Sequence, residues 1–198
     1  MTILYTHRNG LYINLTNRCS NSCDFCVRSY GDTLYGNLWL EREPTVEEVI
    51  NQLEEENLNA YEEVVFCGYG EPTERLEDML AICRHIRSRS SISIRLNTNG
   101  QSELICGADS TPKFEGLFDI ISISLNAADA DTYDAVCHSR YGKGAYDAIL
   151  KFAAHVKPYV GKVVLSVVDT TIPPEDIQKC QEMANAIGVE LRIREFIE

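Results

Sequence analysis

The chain has 198 residues, 44% of them hydrophobic, which is enough for one sizeable core and too little for two, so a single domain over 1–198 is expected. Eighteen basic residues against thirty acidic ones give a net charge of -12, which disfavours general binding to phosphate backbones. The opening MTILYTHRNG has no basic region leading into an apolar run, and no stretch approaches a bilayer-spanning length, so a cytoplasmic protein without a membrane segment is expected.

Along the chain, apolar strands alternate with helical patterns. Leu11 to Thr16 (LYINLT) reads as the first strand, and a cysteine-rich loop follows it directly. After an irregular Gly-, Tyr- and Asn-rich stretch, Thr45 and Glu48 form a capping box that opens a helix ending near Asn57, with Glu54 to Glu56 on its solvated face. Glu63 to Cys67 (EVVFC) is a second strand that stops at Gly68-Tyr69-Gly70-Glu71-Pro72, and a helix is expected from about Glu74 to Arg87. Ile92 to Leu96 is the third strand, ending at Asn97-Thr98-Asn99-Gly100, and an irregular segment runs on to about Gly116. Asp119 to Leu125 is the fourth strand. Helices near Ala130 to Cys137 and Ala145 to Val156 precede the fifth, Lys162 to Val168. A last helix, Pro174 to Ile187, starts on proline, stops at Gly188 and leads to a sixth strand, Glu190 to Arg194. This order implies a parallel α/β sheet with helices outside it and all strand C-termini on one rim. Six units are too few to close an eight-fold barrel, so an open, partial (β/α)6 barrel is expected rather than a doubly wound sheet.

The eight cysteines come without a secretory signal, so reduced thiols are expected rather than a disulfide scaffold. Cys19, Cys23 and Cys26 make a C-x3-C-x2-C loop in which Ser20, Asn21 and Ser22 let the backbone turn tightly. Cys67, Cys83, Cys106, Cys137 and Cys180 are scattered and read as small apolar core residues. A structural zinc site needs a fourth ligand, and His7, the nearest histidine, lies before the first strand. A cubane iron-sulfur cluster on three cysteines instead leaves one iron open to a ligand. On the fourth strand the two-residue period puts Ser122, Ser124 and Asn126 on one inward face, where burying them costs desolvation unless a ligand or buried water bonds them.

The loop resembles the radical S-adenosylmethionine (SAM) signature C-x3-C-x-aromatic-C, with Phe25 in the aromatic position. This resemblance implies a partial radical SAM barrel, open on one side, without an auxiliary-cluster domain. It also implies a [4Fe-4S] cluster on Cys19, Cys23 and Cys26 with SAM as cofactor. Gly68, Tyr69, Gly70 and Glu71 are similar to the family's G-G-E-P segment, whose backbone carbonyls and carboxylate hold the SAM ammonium; Tyr69 replaces the usual glycine. By the same resemblance Asn97, with Ser122, Ser124 and Asn126, would face the SAM ribose and carboxylate, and Val168 the adenine. The segments Asn37–Pro44, Val65–Thr73, Arg95–Gly100 and Ser122–Ala127 look like the TatD-associated radical SAM proteins, a name that records a gene neighbourhood and no substrate.

The implied activity is reductive cleavage of SAM to a 5′-deoxyadenosyl radical that abstracts hydrogen from an unidentified small-molecule substrate. A reductant such as flavodoxin or ferredoxin would supply the electron. Arg28, Arg140, Arg192 and Arg194 are candidates to anchor a carboxylate or phosphate of that substrate. The loop from Arg28 to Trp39 and the segment from Asn99 to Gly116 would hold it. Modification of a protein or peptide partner is the alternative. A protein of another class, binding iron-sulfur or zinc without catalysis, would carry metal yet form no 5′-deoxyadenosine.

Overall fold

A computed structural model describes residues 1–29 and 36–195. The strands are β1 (Leu4–His7), β2 (Gly10–Ile13), β3 (Glu63–Phe66), β4 (Ser93–Thr98), β5 (Ile120–Ser124), β6 (Lys162–Val168) and β7 (Glu190–Arg194). They form one seven-stranded sheet in sequential order, parallel from β2 to β7. The edges β1 and β7 do not pair, so the sheet is an open partial barrel.

The six expected strands are all present, and the seventh is an addition. Leu4–His7 folds back antiparallel on β2 through Arg8-Asn9, with Arg8 at φ 51°. The two-residue loop closes on the His7–Gly10 pair, and Arg8 takes the left-handed conformation that such a tight hairpin turn needs. Asn14 N–H then donates to the Ile3 carbonyl at 2.8 Å, which secures the new edge just before the cysteine loop.

The helices are α1 (Val46–Glu55), α2 (Leu76–Arg89), α3 (Ser102–Cys106), α4 (Ala130–Cys137), α5 (Gly144–Val156) and α6 (Pro174–Ile187). The capping box is in place: Thr45 Oγ1 accepts from Glu48 N–H at 3.1 Å, and Glu48 accepts from Thr45 N–H at 2.8 Å. A 3-10 turn over Pro72–Arg75 delays the start of α2, and α3 with a 3-10 turn at Thr111–Phe114 orders part of the segment expected to be irregular. Among the described residues no helix is long and apolar enough to cross a membrane.

The two-residue period of the strands sorts the sheet into two faces. Val64, Phe66, Ile94, Leu96, Ile121, Ile123, Leu165 and Val167 are fully buried against the helices, where Phe66, Phe118, Phe114 and Phe152 form a chain of edge-on and tilted rings. The alternate residues, among them Arg95, Asn97, Ser122, Ser124, Ser166, Arg192 and Arg194, line the concave inner wall. Thus the outer face supplies the hydrophobic stabilisation and the inner wall is free to carry polar chemistry. Replacing Thr45 with Ala should cost about 1 kcal/mol in urea denaturation, with Thr45→Ser close to wild type, because only the hydroxyl cap is lost.

Candidate metal centre and cofactor site

The cysteine loop leaves β2 and crosses the rim of strand C-termini. Cys19, Cys23 and Cys26 are each half-buried. Backbone bonds pin the loop along its length: Ser22 N–H to the Cys137 carbonyl (3.0 Å), Asp24 N–H to Val136 (3.0 Å), Arg140 N–H to Ser20 (2.9 Å) and Glu71 N–H to Arg18 (2.8 Å). The end of α4 and the segment after β3 therefore hold the loop from both sides.

Beneath it lies a buried amide and hydroxyl network. Asn21 Nδ2 and Gln101 Nε2 both donate to the Tyr133 hydroxyl, at 2.8 and 2.9 Å. Gln101 Nε2 also donates to Asn21 Oδ1 (2.8 Å), and Ser139 Oγ donates to Gln101 Oε1 (2.9 Å). Asn99 Nδ2 bonds Ser20 Oγ at 2.7 Å and lies 3.8 Å from the Cys19 sulfur. Because these groups are buried, breaking any one bond leaves a partner desolvated and unpaired.

Among the described residues, the three loop cysteines do not form a set of sulfurs all within 4.8 Å of one another; the one such set of metal-binding groups is Glu103, Asp109 and His155. Tetrahedral zinc with Zn–S near 2.3 Å would bring its sulfurs to about 3.8 Å. The three loop sulfurs do not form a compact single-ion set of this kind. His7 does not repair a zinc site: it pairs with Gly10 at the opposite end of β2 from the loop and packs edge-on against Tyr12.

The loop's electrostatics differ by position. Burial, reinforced by the Glu71 carboxylate, pushes the Cys19 thiol up to about 12, and burial also raises Cys26. Cys23 is lowered, chiefly by a hydrogen bond from the buried Cys137 thiol, and the same bond keeps Cys137 protonated. The positive Arg28 favours the thiolate at all three loop positions. Cys137 is thus a neighbour of the site rather than plain core; Cys83 and Cys180 are buried as expected, Cys67 is half-buried and Cys106 is exposed.

The Gly68–Glu71 segment packs closely under the loop. A Cβ on Gly70 would stand 2.2 Å from the Thr16 carbonyl oxygen and 2.6 Å from that of Arg18, and one on Gly68 would stand 2.0 Å from Asn14 Oδ1. Both glycines are needed for this approach. Tyr69 is accommodated because its ring is buried against Trp39, with centroids 5.2 Å apart.

Several expected roles need correction. The Glu71 carboxylate accepts from Thr73 N–H (3.0 Å), Thr73 Oγ1 (2.8 Å), Thr98 Oγ1 (2.7 Å) and Asn99 N–H (2.6 Å). It thereby ties β3 to β4; three of the donors fall on Oε1 and one on Oε2, which keeps a lone pair for a further donor, and burial raises its pKa against those bonds. Asn97 is not at the strand end, because β4 continues to Thr98; its Oδ1 accepts from Arg95 at 2.7 Å on the inner wall. Asn99 takes the rim position instead. Ser122 and Ser124 do share the inner face, but β5 ends at Ser124 and Asn126 turns into the left-handed region at φ 56°, so the period breaks before it. Its side chain then bonds Cys137.

Arg28 donates to the Asn21 carbonyl at 3.1 Å, and Arg140 pairs with Glu74 at 2.9 Å and lies over the Tyr141 ring. Both brace the rim rather than stand free for a substrate. Arg192 and Arg194 lie on the inner wall beside Ser166 and Val168 of β6. Phe25 is half-buried against the core, and Val168 is buried at the end of its strand. Residues 30–35 of the loop expected to hold substrate lie outside the described residues.

Two oxygens test the rim for a cofactor. Asn14 Oδ1, under Gly68, and Asn126 Oδ1 are buried with no hydrogen-bond partner among the described residues. Open acceptors of this kind fit a ligand rich in donors, such as the ammonium and ribose hydroxyls of SAM.

Comparison with known proteins agrees with this architecture. The family model of the Radical SAM superfamily matches residues 13–187. The chain belongs to the radical SAM superfamily, a class of enzymes. Its fold is similar to that of Streptococcus suis SuiB bound to precursor peptide SuiA (TM-score 0.70, 17% identity, 98% of this chain and 40% of that one). It is also similar to a radical SAM methyltransferase from Sphaerobacter thermophilus (TM-score 0.57, 16% identity, 97% and 68%) and to methylornithine synthase PylB (TM-score 0.64, 12% identity, 95% and 53%). The chain therefore spans about two fifths of the length of SuiB. No curated protein matches.

Two substitutions probe this arrangement. Gly70→Ala should reduce iron retained after anaerobic reconstitution about tenfold, because backbone carbonyls of the loop stem must move, while Gly144→Ala, whose Cβ meets nothing within 4 Å, should retain it. Tyr133→Phe strands two buried donors and should cost about 1–3 kcal/mol in denaturation while loosening the cluster; unchanged stability would show that the network is not stressed.

Proposed function

We propose that this protein is a radical SAM enzyme that reductively cleaves SAM at a [4Fe-4S] cluster held by Cys19, Cys23 and Cys26, and abstracts hydrogen from a substrate on the inner wall. The observation that carries this reading is the three-cysteine loop, held by backbone and buried side-chain hydrogen bonds at the mouth of an open barrel. The cluster, when bound, supplies an open iron for SAM and the electron that breaks its sulfur to 5′-carbon bond.

The chain's own residues then have separable tasks. The backbone carbonyls of Gly68 to Gly70, with Asn14 Oδ1 beside Gly68 and the open side of Glu71 Oε2, accept from the SAM ammonium. Asn126 Oδ1 and the Ser124 hydroxyl serve the ribose, and Val168 offers an apolar surface to adenine. Asn99 and the Cys137 thiol direct hydrogen bonds at Cys19 and Cys23, which tunes the thiolates that hold the metal. A flavodoxin or ferredoxin is the proposed reductant, and the resemblance of the segments quoted above supports the reading that the chain is one of the TatD-associated radical SAM proteins.

The inner wall favours a small-molecule substrate. A peptide substrate is the second reading, supported by the fold's likeness to SuiB, solved with a precursor peptide, and by the exposed apolar side chains of Val27 and Trp39 flanking the loop.

Anaerobically reconstituted protein with SAM and dithionite should release 5′-deoxyadenosine and methionine. Cys23→Ala should abolish this, and Cys180→Ala should preserve it. Metal-loaded, folded wild-type protein that forms no 5′-deoxyadenosine would favour a non-catalytic iron-sulfur or zinc protein instead.

A further inference from the structure

The inner wall carries more positive than negative charge. Glu63 is committed to Arg95 by two hydrogen bonds, at 2.5 and 2.8 Å, and Glu190 to Lys162 at 2.6 Å. These four side chains and Arg192 line a recess of about 190 Å³ on that wall. With those pairs balanced, Arg192 and Arg194 are left over.

Neither guanidinium is satisfied. Arg192 donates from Nη2 to Ser122 Oγ at 3.1 Å, but its Nε is buried with no partner among the described residues. Arg194 has no hydrogen-bond or ion-pair partner among the described residues. Arg194 is an exposed residue of the edge strand, and its partly covered side chain, with the like charges of Arg192 and Arg95 near it, has a lowered pKa. The two-residue period directs both side chains of β7 to one face. The buried Nε of Arg192 is costly to leave unpaired unless an acceptor joins it, and Arg194 beside it offers unfilled donors to the same acceptor.

We propose that Arg192 and Arg194, with Ser122, form an oxyanion subsite that anchors a carboxylate or phosphate of the substrate. This rests on the enzymatic reading above, since that reading puts SAM at the rim and leaves the inner wall to the substrate. It assigns a substrate class: a small anionic molecule, held on the β7 side of the barrel with its reacting carbon toward the rim.

The test is calorimetric titration of reconstituted protein with inorganic phosphate and with malonate, with and without saturating SAM. The expected result is saturable binding of at least one anion, unaffected by SAM and weakened about tenfold or more in Arg194→Gln and in Arg192→Gln. Arg89→Gln, which removes only a surface pair with Glu54, should leave it unchanged. Arg194→Gln disturbs no bond within the described residues, so it tests the subsite even if Arg192→Gln fails to fold. No saturable binding, or equal binding in the folded variants, overturns the proposal. Displacement of the anion by SAM, with weaker SAM binding in the variants, also overturns it by giving the arginines to the carboxylate of SAM. Release of 5′-deoxyadenosine is read separately, so loss of anion binding with intact SAM cleavage would sink the subsite and leave the enzymatic reading standing.

Discussion

The structure depends on one buried hydrogen-bond network, that joining Asn21, Gln101, Tyr133 and Ser139 beneath the cysteine loop. A loop with three half-buried cysteines and a net negative carboxylate nearby would not hold an open shape through packing alone. The network supplies the shape before any metal is present, because each amide and hydroxyl is buried and each has its partner. It draws on the loop itself, the segment after β4, and the end of α4, so the cradle forms only when these three parts of the chain have come together. Glu71 extends the same logic by taking four donors from the ends of β3 and β4.

That arrangement divides labour across the sheet. The outer face is aliphatic and aromatic, buried by helices, and accounts for the fold's stability. Freed from that duty, the inner wall can hold Arg95, Glu63, Ser122, Arg192 and Arg194, side chains that would be costly in a filled core. The chain order β2 to β7 brings the C-termini of these strands to the rim where the cysteines sit, so the proposed cofactor site at the rim and the proposed substrate subsite on the wall are neighbours by topology.

Much of this was legible in the sequence because it is local. The continuous apolar run of β6 and the ends of α6 follow from residue pattern and from Pro174 and Gly188, and the capping box at Thr45 and Glu48 was readable from four residues. The C-x3-C-x2-C spacing located the metal site for the same reason. What the sequence concealed is non-local. Asn99, Gln101 and Tyr133 look like ordinary loop and helix residues until the fold brings them under Asn21, more than a hundred positions from Tyr133. Glu71 reads only as a ligand because nothing nearby in sequence shows that Thr98 and Asn99 will also bond its oxygens. Asn126 leaves the expected strand face for a backbone reason, since a left-handed residue ends the strand period and no single residue announces that turn.

The account's central claim is that three cysteines, and only three, hold the metal, leaving one iron for SAM. Mössbauer spectroscopy of the 57Fe-reconstituted protein, before and after SAM is added, tests this directly. The account predicts that one iron subsite of four changes its parameters on addition of SAM while the other three do not. Four subsites unchanged by SAM, or a signal from fully thiolate-ligated iron throughout, would contradict it.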